Sequence, residues 1–142
     1  METANDTFWL LLMACLYMHV LDDFVLQKAT LCDLKQRDWW RRLVGHDFEK
    51  SRYSHDYVMA LFIHAGQWSL GILLPMALYF IIKGMPVDTL FLWSAFCVNT
   101  LVHAFVDNLK ANELRINLVE DQSAHFVQIV ITLVVFVMRN CI

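Results

Sequence analysis

The sequence predicts an all-α integral membrane protein: a four-helix bundle forming one membrane domain over residues 1–142, with a basic cytoplasmic loop between helices 1 and 2. Three observations predict it. Of the 142 residues, 58% are hydrophobic and 18% charged, against about 45–50% and 25% in soluble domains, and the mean hydropathy is +0.48. A soluble chain this small buries only about two-thirds of its surface, too little to hide so much apolar area. The apolar residues gather into four runs of about 20 residues or more, the length that crosses a hydrocarbon core as a helix. Finally, the segments between the runs carry most of the basic residues. The same composition excludes intrinsic disorder, a collagen-like fibre and a disulfide-built scaffold. A net charge of −3 and a pI near 6.0 exclude the basic face that a nucleic-acid binder presents.

The first helix covers about 8–27, apolar through Leu21 and then interrupted by Asp22 and Asp23. The loop 28–56 follows; within it Trp39-Trp40-Arg41-Arg42 reads equally as a segment anchored on an anionic lipid surface or as an ordinary solvated loop. The second helix covers about 57–82 and contains His64, Gln67 and Pro75, the proline predicting a kink in its outer half. The third, about 89–109, holds Asn99, His103 and Asp107; the fourth, about 119–138, has its polar residues in its first two turns. In lipid only helices and closed barrels satisfy their backbone groups, and the runs lack the alternation of barrel strands. Lys28, Lys35, Arg37, Arg41, Arg42, Lys50 and Arg52 lie in the first loop, and Lys110 and Arg115 follow the third helix on the same side; only Lys83 and Arg139 lie opposite. That asymmetry predicts both termini on the non-cytoplasmic side.

Cys15, Cys32, Cys97 and Cys141 are far apart, without zinc-finger spacing. Leu12-Met13-Ala14-Cys15 has the outline of a lipoprotein cleavage box, but Glu2 and Asp6 stand where a signal peptide is basic. Gly66 and Gly71 fall short of a small-x-x-x-small pair, so a homo-oligomer is compatible with the sequence but unmarked by it.

Ionisable side chains inside a bilayer are expensive and by default functional. Here they meet at one depth. At 1.5 Å per residue, His19, His64, His103 and His125 each lie about 9–12 Å from the cytoplasmic end of their helix, and Asp23, Asp107 and Asp121 about 3–6 Å from it. His19/Asp23, His103/Asp107 and Asp121/His125 are i,i+4 pairs, so each pair shares a helical face. Imidazole beside carboxylate suits zinc, manganese or iron, with a carboxylate either ligating or holding an imidazole in place. A polar core that specifies helix packing, and a path for protons or ions, are the other readings of the same residues. Asp22, about 100° around the helix from Asp23, is expected to face another wall or the headgroups. Gln67, Asn99 and Gln128 read as interhelical hydrogen-bonders. Gln27 and Gln122 read as lining the cytoplasmic mouth, and Lys110 as meeting a phosphate or snorkelling to the headgroups.

Gly45-His46-Asp47 and Ser54-His55-Asp56 resemble the doublets of soluble HD-superfamily phosphohydrolases, which set them at the end of an apolar helix; here both sit in the polar loop, His55 within reach of the second helix. A fuller resemblance runs through nearly the whole chain. His19-x-x-x-Asp23-Phe24-x-x-Gln27, then His64, then His103-x-x-x-Asp107-x-x-Lys110, then Asp121-Gln122-x-x-His125 resemble, in order, the motifs of the small bacterial and phage membrane proteins called domain of unknown function 3307. The long charged first loop and the extra His-Asp doublets depart from that pattern. The resemblance implies an inner-membrane location, host- or phage-encoded. A related-looking group with intramembrane H-x-x-x-D motifs carries the label of membrane-bound, metal-dependent hydrolase.

The expectation is therefore a metal-dependent hydrolase in the cytoplasmic half of the membrane. His19, Asp23, His64, His103, Asp107, Asp121 and His125 would hold one or two divalent ions, zinc first and manganese or iron otherwise. Asp23, Asp107 or Asp121, whichever is not a ligand, would be the general base. Gln27, Lys110 and Gln122 would bind a phosphoester or lipid-linked substrate. Two other classes stand beside it: a non-enzymatic protein that binds or conducts a cation or protons, and a phage or host membrane-modifying interaction protein with a structural polar core. The nearly wholly apolar outer halves of the helices speak against a conduit.

Overall fold

Four of the helices in the computed structural model, which describes residues 4–140, are long and apolar enough to cross a membrane, and no strand forms among those residues. α1 (Ala4–Leu21) runs on directly into one π-helical turn, Asp22–Leu26. Two short helices follow, α2 (Ala29–Leu34) and α3 (Arg37–Val44), then a 3₁₀ turn at Phe48–Lys50. α4 (Asp56–Lys83), α5 (Thr89–Ala111) and α6 (Leu118–Asn140) complete the chain. The four candidate spans are 23, 28, 23 and 23 residues long, about 35–42 Å at 1.5 Å per residue, enough for the hydrocarbon core. This is the all-α four-helix membrane bundle that the composition predicts. Cys141 and Glu2 lie outside the described residues.

The helices pack in chain order as a ring: α4 lies between α1 and α5, and α6 closes against both α5 and α1. Each end is fixed by local chemistry. α4 runs unbroken through Pro75 and stops at Gly84, whose φ of 62° is left-handed, with the Met85 N–H returned to the Phe80 carbonyl at 2.9 Å. Asp88 caps α5 by accepting the Phe91 N–H at 3.0 Å and pairs with Arg139 near the end of α6. The Arg139 guanidinium and then the Phe91 N–H hold its carboxyl below the usual carboxylate range. α6 opens on a capping box: Asn117 Oδ1 accepts from the Val119 and Glu120 N–H groups while Glu120 returns a carboxylate oxygen to the Asn117 N–H at 2.8 Å.

The bundle is apolar outside as well as in. Leu10, Met13, Ile63, Leu70, Ile81 and Leu101 face outward and are exposed, as lipid-facing positions are. Inside, the half nearest the termini is packed by Leu11, Cys15, Ile72, Met76, Phe80, Ile129, Leu133 and Phe136. Above this floor the interior turns polar. Gln128 donates to both the side-chain and backbone oxygens of Asn99 at 2.8 Å, and Asn99 and Thr132 bond at 3.1 Å; Gln67 donates to Asp22 at 2.6 Å. These are the interhelical bonds expected of the three residues. Cys15, Cys32 and Cys97 are free thiols.

The loop 28–56 is a folded cap rather than a solvated tether. Trp40 donates its indole N–H to the Leu34 carbonyl at 2.9 Å and stacks on Tyr53. Phe48 is buried, and Arg37 and Arg41 each reach Glu49 at 2.8 Å, holding its carboxyl below the usual range. Asn112, just past α5, clamps the cap from below: its amide donates to the Lys35 carbonyl at 3.1 Å and its oxygen accepts the Arg37 N–H at 2.7 Å. Asn112→Ala leaves both backbone groups unpartnered, a loss of about 1–3 kcal/mol. Limited proteolysis is expected to cut within 28–56 roughly tenfold faster in this variant, while the helices stay intact. An unchanged cleavage rate would show that the clamp does not hold the cap.

Candidate metal centre

The histidines and aspartates converge from all four long helices on the polar end of the interior, beneath the cap. His64, His103 and His125 are buried to 1% exposure or less, Asp121 is 1% exposed, and His19, Asp22 and Asp107 are also buried. His64 stands two turns into α4, and His125 two turns into α6; His103 and Asp107 fill the last two turns of α5.

The π turn brings the acidic wall in from α1. The Gln27 N–H donates to the Asp22 carbonyl five residues back, at 2.8 Å, so the turn is wider than an α-helical one and successive residues are less spread around it. Asp22 and Asp23 both face the bundle, while Phe24, Val25 and Leu26 face outward and are exposed. This corrects the expectation for Asp22. Its carboxylate accepts from Gln67 and lies 3.7 Å from His64 Nδ1; an ideal 100° step had put it on another wall.

The spacing across the cluster is specific. His64 Nε2 is 3.7 Å from Asp23 Oδ1 and 3.6 Å from Asp107 Oδ2. His125 Nε2 is 3.4 Å from Asp107 Oδ1 and 3.5 Å from Asp121 Oδ1, and His103 Nε2 is 3.7 Å from Asp107 Oδ1. Hydrogen bonds between such groups run 2.7–3.0 Å. Two ligands about 2.0–2.1 Å from a tetrahedral ion stand roughly 3.3–3.4 Å apart, close to what is seen. The hydrogen-bond accounting agrees: Asp22 Oδ2, Asp23 Oδ1, Asp121 Oδ1, His64 Nδ1 and both ring nitrogens of His103 and His125 are buried without a hydrogen-bond partner, where an unsatisfied buried group costs about 1–3 kcal/mol. Two overlapping sets could hold an ion, Asp23/His64/His103 and His103/Asp107/His125. Both contain His103, and Asp107 faces both sides.

Charge points the same way. Asp22, Asp23, Asp107 and Asp121 bring four carboxylates, and two ammonium groups answer them: Lys35 Nζ lies 2.7 Å from Asp107 Oδ2, and Lys110 Nζ 2.6 Å from Asp121 Oδ2. With neutral imidazoles, four negative charges less two positive leave two negative, the charge that one divalent ion balances.

Two residues expected in direct roles, His19 and Gln122, do other work. His19 is not among the open ligands: Nδ1 accepts the Trp68 indole N–H at 2.8 Å, which leaves Nε2 to donate to Gln122 Oε1 at 3.0 Å. Gln122 has no amide group to spare for a substrate, since its Nε2 donates to Asp23 Oδ2 and Asp121 Oδ2 at 3.1 Å each. It ties α1 to α6 and holds two carboxylates in place. Lys110 is bonded to Asp121 rather than released to the headgroups. Gln27 and Lys110 do line an opening on the cap side. His55 is exposed at the start of α4, and His46 is exposed in the cap, both outside the cluster.

Sequence reasoning missed Trp68 and Lys35. Trp68 is fully buried and forms the floor of the centre, stacked on His103 at 4.3 Å between ring centroids and edge-on to His19 at 5.8 Å. Its mid-span position, one turn beyond His64, was the available signal, because tryptophan in a span belongs at the interfaces. Lys35 lies on the cap, and no periodicity leads from there to Asp107.

The fold and the centre define a class: an integral membrane four-helix protein with a buried histidine–aspartate cluster that could hold a metal ion. No protein-family model matches the chain, and no curated protein or solved structure matches it.

Proposed function

We propose that the protein is a membrane-embedded, metal-dependent hydrolase acting near the cytoplasmic face on a phosphoester or lipid-linked substrate, with zinc as the first candidate ion and manganese or iron next. The observation that carries the reading is the set of 3.4–3.7 Å separations between histidine nitrogens and carboxylate oxygens drawn from four helices, with the His103 and His125 nitrogens, Asp23 Oδ1 and Asp121 Oδ1 buried without a hydrogen-bond partner. His64, His103, His125, Asp23 and Asp107 are the ligands. A bound divalent ion lowers the pKa of its water toward 7 and polarises the scissile group. Asp121 is the general base: Lys110 and Gln122 hold its Oδ2, and its Oδ1 remains open. His19 and Gln122 are positioning residues that orient Asp23 and Asp121. The basic residues of the cap support, through the positive-inside rule, a centre on the cytoplasmic side with both termini opposite; the proposed membrane is a bacterial inner membrane, the protein host- or phage-encoded. Kinship with the domain of unknown function 3307 proteins, on the four ordered motifs, belongs to the same proposal.

A conduit for cations or protons fits less well. Trp68, Ile72, Met76, Ile129, Leu133 and Phe136 are fully buried beneath the centre and present no polar route onward. The test is turnover: wild-type protein in nanodiscs, reloaded with zinc or manganese, is expected to release phosphate from a lipid phosphomonoester or cleave a diester. Asp121→Asn is expected to lower kcat about 10²–10⁴-fold with bound metal unchanged. Metal-loaded wild type inert on all phosphoester lipids would sink the hydrolase and leave the metal centre standing.

A further inference from the structure

A cavity of about 360 Å³ lies beside the centre, between the end of the π turn, α2 and α5. Its lining includes Gln27, Lys35, Gln36, Asp107 and Lys110. The first feature of this wall is its surplus of donors. An ammonium carries three N–H donors, and Lys35 and Lys110 are each seen bonded to one carboxylate oxygen. Gln27 Nε2 is buried with no hydrogen-bond partner, while Gln36 spends its amide on the Cys32 carbonyl at 3.3 Å. Two cations and an amide N–H converging on one cavity match a tetrahedral oxyanion carrying two negative charges.

Asp107 is the obstacle, since its carboxylate lines the same cavity and repels such an anion. Its two oxygens face different partners. Oδ1 looks toward His103 and His125, and Oδ2 toward His64 and Lys35. An ion held by His103, Asp107 Oδ1 and His125 leaves Lys35 where it is and brings the four carboxylates and two ammoniums to neutrality. A second divalent ion, on Asp23 Oδ1, His64 Nε2 and Asp107 Oδ2, must displace the Lys35 ammonium from Oδ2. That step adds two positive charges to a buried site, and a phosphate dianion restores the balance.

We propose that the cavity binds a phosphate group through Lys35, Lys110 and Gln27, and that the phosphate enters together with a second divalent ion, Lys35 exchanging Asp107 Oδ2 for a phosphate oxygen. This deepens the hydrolase reading, and rests on its metal centre, by naming the anionic part of the substrate and the residue that hands it over.

The test measures zinc per chain by elemental mass spectrometry on the full-length protein in detergent, with and without inorganic phosphate, together with phosphate binding. Zinc is expected to rise from about one ion per chain to about two when phosphate is added, with one phosphate bound. Lys35→Met is expected to keep the first ion, to take the second without phosphate, and to bind phosphate about 10–100-fold more weakly; Lys35→Arg, which keeps the charge, restores phosphate binding and shows that the cap remains folded. In nanodiscs, phosphatidic acid replacing inorganic phosphate identifies a lipid headgroup as the source, whereas phosphate acting where phosphatidic acid does not identifies a soluble ligand. One ion per chain regardless of phosphate, or Lys35→Met binding phosphate as wild type does, overturns the proposal and leaves the metal centre intact. No metal under any condition overturns both.

Discussion

His103→Ala is expected to reduce bound divalent metal from about one ion per chain, the number that balances the buried charge, to background by elemental mass spectrometry. His103 holds the first ion with Asp107 and His125 and also belongs to the other candidate set, Asp23/His64/His103, so its loss leaves neither set complete, and the second ion enters only with phosphate. Because its buried ring packs against both Trp68 and His125, at 4.3 and 3.9 Å between centroids, alanine also opens a cavity. His103→Phe fills that space without a ligating nitrogen and is expected to lose metal equally. Asp107→Ala should lose metal as well, but it strands Lys35 beside a missing partner, a change worth about 3–5 kcal/mol when the charge is buried. His19→Ala separates ligands from their supports: it is expected to weaken metal binding about 10–100-fold without abolishing it. Full metal in His103→Phe, or none in His19→Ala, would force the ligand set to be redrawn.

The largest effect on stability is expected at Trp68. Its ring touches His19, His103 and His125 on one side and joins the core of Ile72, Met76 and Leu133 on the other. Trp68→Ala removes this floor, and full truncation of a buried tryptophan costs about 3–5 kcal/mol. Trp68→Phe keeps most of the ring but leaves His19 Nδ1 without its donor, a loss of about 1–3 kcal/mol. Thermal unfolding in detergent should rank wild type above Trp68→Phe and Trp68→Ala last. If Trp68→Phe matched wild type, the indole bond to His19 would be irrelevant to folding. Metal content in Trp68→Phe offers a second readout, since freeing His19 Nδ1 removes what keeps that ring out of the ligand set.

The membrane class and the four helices were legible because they rest on run length and hydropathy, properties of contiguous residues. The convergence of His64, His103 and His125 with Asp107 and Asp121 was legible for a related reason: depth along a helix follows from counting, and i,i+4 spacing fixes a face. What counting cannot give is local departure from α geometry, and so Asp22 was assigned to the wrong wall. Nor can it give contacts made by a folded loop. Lys35 reaches Asp107 only because Asn112 grips the backbone on either side of the α2–α3 junction, a tertiary fact without sequence periodicity. The roles of His19 and Gln122 were hidden differently. Their residue types fit both ligation and support, and only the partners at each ring nitrogen and amide atom separate the two.

The π turn makes length itself a functional property of this chain. Between Asp23 and Gln27 the side chains Phe24, Val25 and Leu26 point outward and are exposed, so any apolar residue serves there. Their number is another matter. Deleting or inserting one residue rotates everything on one side of the turn by about 100° relative to the other, taking either the paired carboxylates away from His64 or Gln27 away from the cavity. Natural variants that keep this centre should therefore drift freely in the identity of these three residues and almost never gain or lose one.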